Sequence, residues 1–149
     1  MWVTDAGFLD TASRVLRQAG DAEQATILTG HADGVRAREA LAAGDLERAM
    51  RLAKSAGTRA PSPQHHVLEA LCHARYGERA AVQEALAAAA ALGPLDADAI
   101  RADPAIARLL PDPEIERALQ HGLPRPGTST GIDAPAAAPH SSNPGGGSR

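Results

Sequence analysis

Aromatic residues are the scarcest class in this sequence, with one Trp, one Tyr and one Phe among 149 residues. Val, Ile and Thr are also uncommon, whereas alanine is the most frequent residue. β-Strands favour aromatic and β-branched side chains, while helices favour alanine and unbranched side chains. The composition therefore predicts an all-α protein, and the length is sufficient to bury a core without metal or disulfide support.

Features of several other protein classes are also missing. Cys72 is the single cysteine, so no disulfide can form within the chain. The net charge of −3 argues against a nucleic-acid-binding protein, which usually has a basic surface. The longest apolar run, Ala85–Leu92, is far shorter than the ~20 residues of a membrane span. The opening residues MWVTDAGFLD lack the basic and apolar regions of a signal peptide. We expect a soluble, cytoplasmic protein that binds neither nucleic acid nor membranes.

Motifs for catalysis and cofactor binding are absent from the sequence. It contains no Gly-x-Ser-x-Gly, His-Glu-x-x-His or Cys-x-x-Cys, and no glycine-rich loop that opens a helix. These absences predict a protein that is not an enzyme and uses no cofactor or metal. One cluster, His65, His66, Cys72 and His73, resembles a soft-metal or Cys–His site. The favoured interpretation places Cys72 in the core and the histidines at the surface or its rim.

The clearest pattern is an internal repeat. The segment AGDLERAMRLAKSAGTRAP, which begins at Ala43, is answered 33 residues later by YGERAAVQEALAAAAALGP, which begins at Tyr76. Gly44 corresponds to Gly77, and the closing prolines Pro61 and Pro94 keep the same spacing. A glycine and an acid between two helical segments, with a proline at the end, predict two repeated helix hairpins.

Hydrophobic spacing divides the chain before residue 95 into six predicted helices. The first covers about Thr4–Ala19, and its apolar face comprises Phe8, Leu9, Ala12, Val15, Leu16 and Ala19. A short second helix follows the Asp21 cap, and Thr29-Gly30-His31 is predicted to be a loop. The others are expected over about Asp33–Ala43, from the Asp45 cap to a break at Gly57, over Pro63–Tyr76 and over Glu78–Leu92.

Beyond Pro94 the pattern changes to short units. Asp103-Pro104 and Asp112-Pro113 are helix-start signals, because Asp caps a helix and Pro suits its first turn. We predict that residues 95–121 form a C-terminal cap on a helical-repeat domain spanning residues 1–122. Residues 123–149 are rich in Pro, Gly and Ser, and we expect this tail to be disordered. The apolar contacts of the cap are expected from Ile100, Ile106, Leu109, Leu110, Ile115 and Leu119.

The repeated segment resembles the tetratricopeptide repeat family, whose unit of about 34 residues is a helix pair. The resemblance covers Gly30–Pro94 as two repeats. The first repeat matches the family pattern at Gly44, Ala49, Ala56 and Pro61, and the second matches it at Gly77, Ala89 and Pro94. Val82 stands where the family usually has alanine. The resemblance implies an α-solenoid built from antiparallel helix hairpins.

The same resemblance implies a function. In this family the first helix of each unit lines a groove that usually binds an extended peptide. By position, the groove residues are His31 and Arg38 in the first repeat, and Gln64 and Arg75 in the second. Two arginines facing one groove can hold a carboxylate through forked hydrogen bonds. The resemblance therefore implies a non-catalytic interaction module that binds a protein or peptide partner.

Two other interpretations remain open at this point. One is a helical regulatory or dimerisation domain of a bacterial-type signalling or transcription system, acting as a homodimer. Gly20-Asp21 between two helices permits a helix-turn-helix, although the flanking helices lack the basic residues of a recognition helix. The other is a thiol- or metal-dependent enzyme centred on Cys72.

Overall fold

The computed structural model describes residues 5–121, which form eight α-helices and no strand. The predicted all-α class is therefore confirmed for this part of the chain. None of these helices is long and apolar enough to cross a membrane. Trp2 and the predicted disordered tail, residues 123–149, lie outside the described residues. The helices are α1 Ala6–Gln18, α2 Ala22–Ala42, α3 Leu46–Arg59, α4 Pro63–Tyr76, α5 Arg79–Leu92, α6 Ala97–Ala102, α7 Pro104–Ala107 and α8 Pro113–His121.

Three tight turns connect the early helices as the sequence predicts. Gly20, Gly44 and Gly77 have φ values of 87°, 80° and 73°, a left-handed region that glycine enters without steric cost. The acid that follows the first two glycines caps the next helix: Asp21 accepts a hydrogen bond from Gln24 N at 3.0 Å. Consecutive helices from α1 to α5 pack against one another, so each helix from α2 to α5 contacts the helix before it in the chain.

The predicted loop at Thr29-Gly30-His31 is wrong, because α2 continues unbroken from Ala22 to Ala42. Gly30 permits close packing here and does not end the helix. A Cβ atom at Gly30 would lie 2.8 Å from Ala60 Cβ and 2.9 Å from Ala60 N. Helix α2 thus runs directly against the end of α3, at a separation that only glycine allows.

The predicted apolar face of α1 is only partly correct. Leu9 is buried as expected, but Phe8 and Val15 are 60% and 58% exposed. Polar contacts determine how the helix is rotated, because the buried Ser13 Oγ donates to the carbonyl oxygen of Ala25 at 2.8 Å. An ion pair between Asp10 of α1 and Arg36 of α2 holds the same orientation.

The core consists of two clusters with different composition. Between α2, α3 and α4 the buried residues are mostly alanines, with Leu68 and Cys72 as the larger members. Around α5 the cluster is larger and contains leucines and isoleucines. The apolar residues predicted for the C-terminal region belong to this second cluster, where Ile106, Ile115 and Leu119 are fully buried. The C-terminal region therefore supplies most of the bulky side chains that cover α5.

Candidate functional site

A cavity of about 580 Å³ lies between α4 and the segment that carries α6 and α7. Helix α4 supplies one wall of this cavity. Ser62 caps the helix, since its Oγ accepts a hydrogen bond from His65 N at 3.2 Å, and Pro63 occupies the first turn. This start places apolar side chains one and two turns along the same side of the helix. The apolar lining includes Val67, Leu68, Leu71, Leu95, Ile100 and Pro104.

The two acids that line this cavity are already hydrogen-bonded within the protein. Asp96 accepts from Ala99 N at 3.0 Å as the cap of α6. Asp103 accepts from Ala105 N at 2.8 Å as the cap of α7, and it also binds both terminal nitrogens of Arg75. Burial tends to raise the pKa of Asp103, but Arg75 and the backbone N–H groups outweigh it and lower that pKa. Both carboxylates therefore serve the fold at this site.

Arg75, which the resemblance assigns to the groove, is held by this ion pair. Its Nη1 and Nη2 lie 2.7 Å and 2.9 Å from the two carboxylate oxygens of Asp103. The hydrogen bond to Asp103 raises the pKa of Arg75, so the guanidinium stays charged. Because the fork of Arg75 is occupied from within the chain, it does not present a free guanidinium to the cavity.

Arg38 and Gln64 are the predicted groove residues that the fold brings together, since both line the cavity. Within residues 5–121, no carboxylate oxygen lies within 4 Å of the Arg38 guanidinium. The charge of Arg38 also contributes to lowering the pKa of His65, which lies in the first turn of α4. The cavity thus has one cationic group that is not neutralised by a neighbour in the described chain.

His31, the fourth predicted groove residue, lies beside the cavity and does not line it. It is exposed, and its ring centroid is 5.2 Å from that of His65 at an interplanar angle of 52°. The two histidines therefore mark the junction of α2 and α4, whereas Arg38 and Gln64 mark the cavity.

His65 was predicted at the surface or its rim, and this prediction is wrong because the residue is only 5% exposed. Its Nδ1 donates to the carbonyl oxygen of Ala60 at 2.7 Å. Burial lowers the pKa of His65, and the neighbouring His31, Arg38 and His66 lower it further, although the Ala60 carbonyl opposes them. Gly34 is the one sequence feature that could have indicated this burial, because a buried ring needs a position without a side chain in the facing helix.

The alternative site around Cys72 is not assembled in the described structure. Cys72 is fully buried, and burial raises its pKa to about 11, so the thiolate needed for nucleophilic attack is disfavoured. His73 Nδ1 lies 2.6 Å from Glu78, and His66 Nδ1 lies 3.6 Å from Glu69. No group of three His, Cys, Asp or Glu side chains in residues 5–121 is arranged to hold a metal ion. The placement of Cys72 agrees with its interpretation as a small core residue.

The comparisons with known proteins add no relative. No protein-family model matches the chain. Comparisons with curated proteins and with solved structures likewise found no match. The resemblance to tetratricopeptide repeats therefore depends on the residues of this chain alone.

Proposed function

We propose that this protein is a non-catalytic, cytoplasmic interaction module that binds a segment of a partner protein. In this proposal α2–α3 and α4–α5 are two units of a tetratricopeptide-like solenoid. The pairing is supported by the left-handed turns at Gly44 and Gly77, which stand 33 residues apart at equivalent positions of the repeat. The packing of α2 against α4 also supports it, because first helices of successive units lie side by side in such stacks.

The observation that carries the proposal is the cavity beside α4. It combines an apolar lining with the guanidinium of Arg38 and the amide of Gln64. An extended segment can bury an apolar side chain there and place a neighbouring carboxylate against Arg38. A guanidinium holds a carboxylate through two parallel hydrogen bonds, which adds orientation to the apolar contact.

The positions of the reactive groups favour binding over catalysis. The carboxylates of Asp96 and Asp103 are engaged as helix caps, and the Cys72 thiol is buried with a raised pKa. Recognition through Arg38 needs none of these groups to react. It requires only that a partner bring an acid next to an apolar residue.

Affinity capture followed by mass spectrometry tests the proposal. The intact protein is compared with an Arg38→Glu/Gln64→Ala double variant and with an Arg14→Glu control, which changes charge at an exposed site on α1 outside the cavity. We expect one partner to be captured by the intact protein and the control but lost with the double variant. Equal capture by all three forms would place recognition elsewhere on the protein.

A further inference from the structure

We propose that the cavity beside α4 binds a small amphipathic carboxylate, a molecule with an apolar chain and one anionic head. This inference does not depend on a protein partner, because it follows from the size, lining and charge of the cavity alone. Its ligand class differs from an extended peptide, and the two can be tested separately.

Size is the first argument. Pockets for small molecules are typically about 300–1,000 Å³ and mostly apolar, with a few polar groups that fix orientation. The cavity has a volume of about 580 Å³, which lies within this range, and it is a groove partly open to solvent. The walls at Val67, Leu71 and Ile100 suit a hydrocarbon chain, since they offer no hydrogen-bonding groups on their side chains.

Charge is the second argument. The acids Asp96 and Asp103 are satisfied by backbone N–H groups, and Asp103 is also neutralised by Arg75. Arg38 is the only cation among the lining residues, and within the described chain it has no carboxylate partner. Asp96 keeps its negative charge while it caps α6, so the lining is not positive overall. Arg38 is the place in the lining where an anionic head group would bind.

The identity of the head group follows from the geometry of a guanidinium. Its planar fork matches the two oxygens of a carboxylate, and hydrogen bonds to charged groups are roughly twice as strong as neutral ones. Gln64, which lines the same cavity, provides an amide N–H₂ as an additional donor. A carboxylate therefore gains both the charge and the hydrogen bonds, whereas an alcohol of the same length gains neither in full.

The test uses three probes with the same eight-carbon chain: octanoate, 1-octanol and octylammonium. Each is titrated into the full-length protein at neutral pH, and binding is followed by two-dimensional NMR. We expect octanoate to bind one site on the order of tenfold more tightly than 1-octanol. We expect octylammonium to bind less tightly than octanoate, because its head group cannot pair with Arg38.

Two variants locate the site. Arg38→Gln is expected to lower octanoate affinity to that of 1-octanol while leaving 1-octanol binding unchanged. Ala99→Trp fills the cavity from an exposed position on α6, and it is expected to abolish binding of both probes. Arg14→Gln is the charge-matched control and should behave as the parent protein. Circular dichroism and the methyl resonances of Ile106 and Leu119 verify that each variant is folded.

The inference is overturned if octanoate binds no more tightly than 1-octanol, or if folded Arg38→Gln keeps full octanoate affinity. Retained octanoate binding in folded Ala99→Trp would also overturn it, because the ligand would then lie elsewhere. A protein partner captured through Arg38 without any octanoate binding would leave the proposed interaction function intact and exclude the small ligand alone.

Discussion

Gly34 of α2 lies directly against the imidazole ring of His65 on α4. A Cβ atom at Gly34 would stand 2.6 Å from His65 Nε2 and 2.9 Å from Cδ2, closer than real Cβ contacts. The absence of a side chain at one position thus makes room for a buried ring at the other, and the pair fixes the distance between the two helices.

Replacing Gly34 by alanine should therefore destabilise the protein. Alanine favours a helix by about 1 kcal/mol over glycine, but overpacking costs typically about 1–3 kcal/mol and also displaces the His65 hydrogen bond. We expect urea unfolding to show a net loss on the order of 1–2 kcal/mol in the free energy of unfolding.

Gly57→Ala is the matched control for this substitution. Gly57 is a buried glycine inside α3, where a Cβ atom would lie 3.5 Å from His66 Cε1, an ordinary contact. We expect this variant to be unchanged or stabilised by up to about 1 kcal/mol. Equal stability of the Gly34→Ala and Gly57→Ala proteins would contradict the close-packing account.

His65 should make the stability of the protein fall in mild acid. Its folded pKa is lowered by burial and by the nearby His31, Arg38 and His66. The folded state therefore binds a proton less readily than the unfolded chain, whose histidine pKa is about 6.5. The contribution of His65 is present above about pH 6.5 and is lost as the pH falls from there through the lower folded value.

Unfolding free energies at about pH 7.5 and about pH 5.5 would measure this effect. The parent protein should lose more stability between the two values than a His65→Gln variant, which retains a side-chain N–H donor but does not titrate. An equal loss in both proteins would assign the acid sensitivity to other groups.

The Arg75–Asp103 pair should contribute modestly to stability, and its two roles can be separated. Asp103→Ser keeps a capping oxygen for α7 and removes the ion pair, whereas Asp103→Ala removes both. We expect Asp103→Ala to be about 1 kcal/mol less stable than Asp103→Ser, because that is the usual value of an N-cap. A double-mutant cycle with Arg75→Met should give a coupling of about 1 kcal/mol or less, since Arg75 is partly exposed. A coupling near zero would mean that the ion pair only positions the two side chains.

Cys72 should react only when the protein opens. Its side chain is fully buried and its pKa is raised to about 11, so a thiol reagent needs both access and ionisation. At about pH 8, we expect Ellman's reagent to modify the native protein about a hundredfold or more slowly than the urea-unfolded chain. Rapid, stoichiometric modification of the native protein would revive the interpretation of a reactive thiol.

Local sequence signals predicted the features that depend on neighbouring residues. The left-handed glycines, the Asp caps and the bounds of Pro63–Tyr76 follow from turn chemistry and short-range spacing, and the structure has them. The burial of Ile106 and Leu119 was also predictable, because large apolar residues in a polar region have few alternatives to packing.

Features that depend on distant residues could not be predicted in the same way. A glycine that ends a helix cannot be told in sequence from a glycine that lets a neighbouring helix pack closely. The predicted loop at Gly30 was therefore wrong. The partner of Arg75 lies 28 residues away at Asp103, and only the fold brings them together. Likewise, the rotation of α1 depends on Ser13 reaching the Ala25 carbonyl, a contact across two helices.

The alanine-rich cluster between α2, α3 and α4 has a consequence for how this protein tolerates mutation. Alanine has no side-chain rotamers, so packing it costs no side-chain entropy, but it also cannot adjust its shape to a changed neighbour. At Ala37, Ala49 and Ala53, which are fully buried, any larger residue must push the helix backbones apart. The bulky cluster around α5 can absorb substitutions by repacking its leucines and isoleucines. We therefore expect sequence variation to be accepted more readily near α5 than at the junction that holds His65 and Arg38 in register.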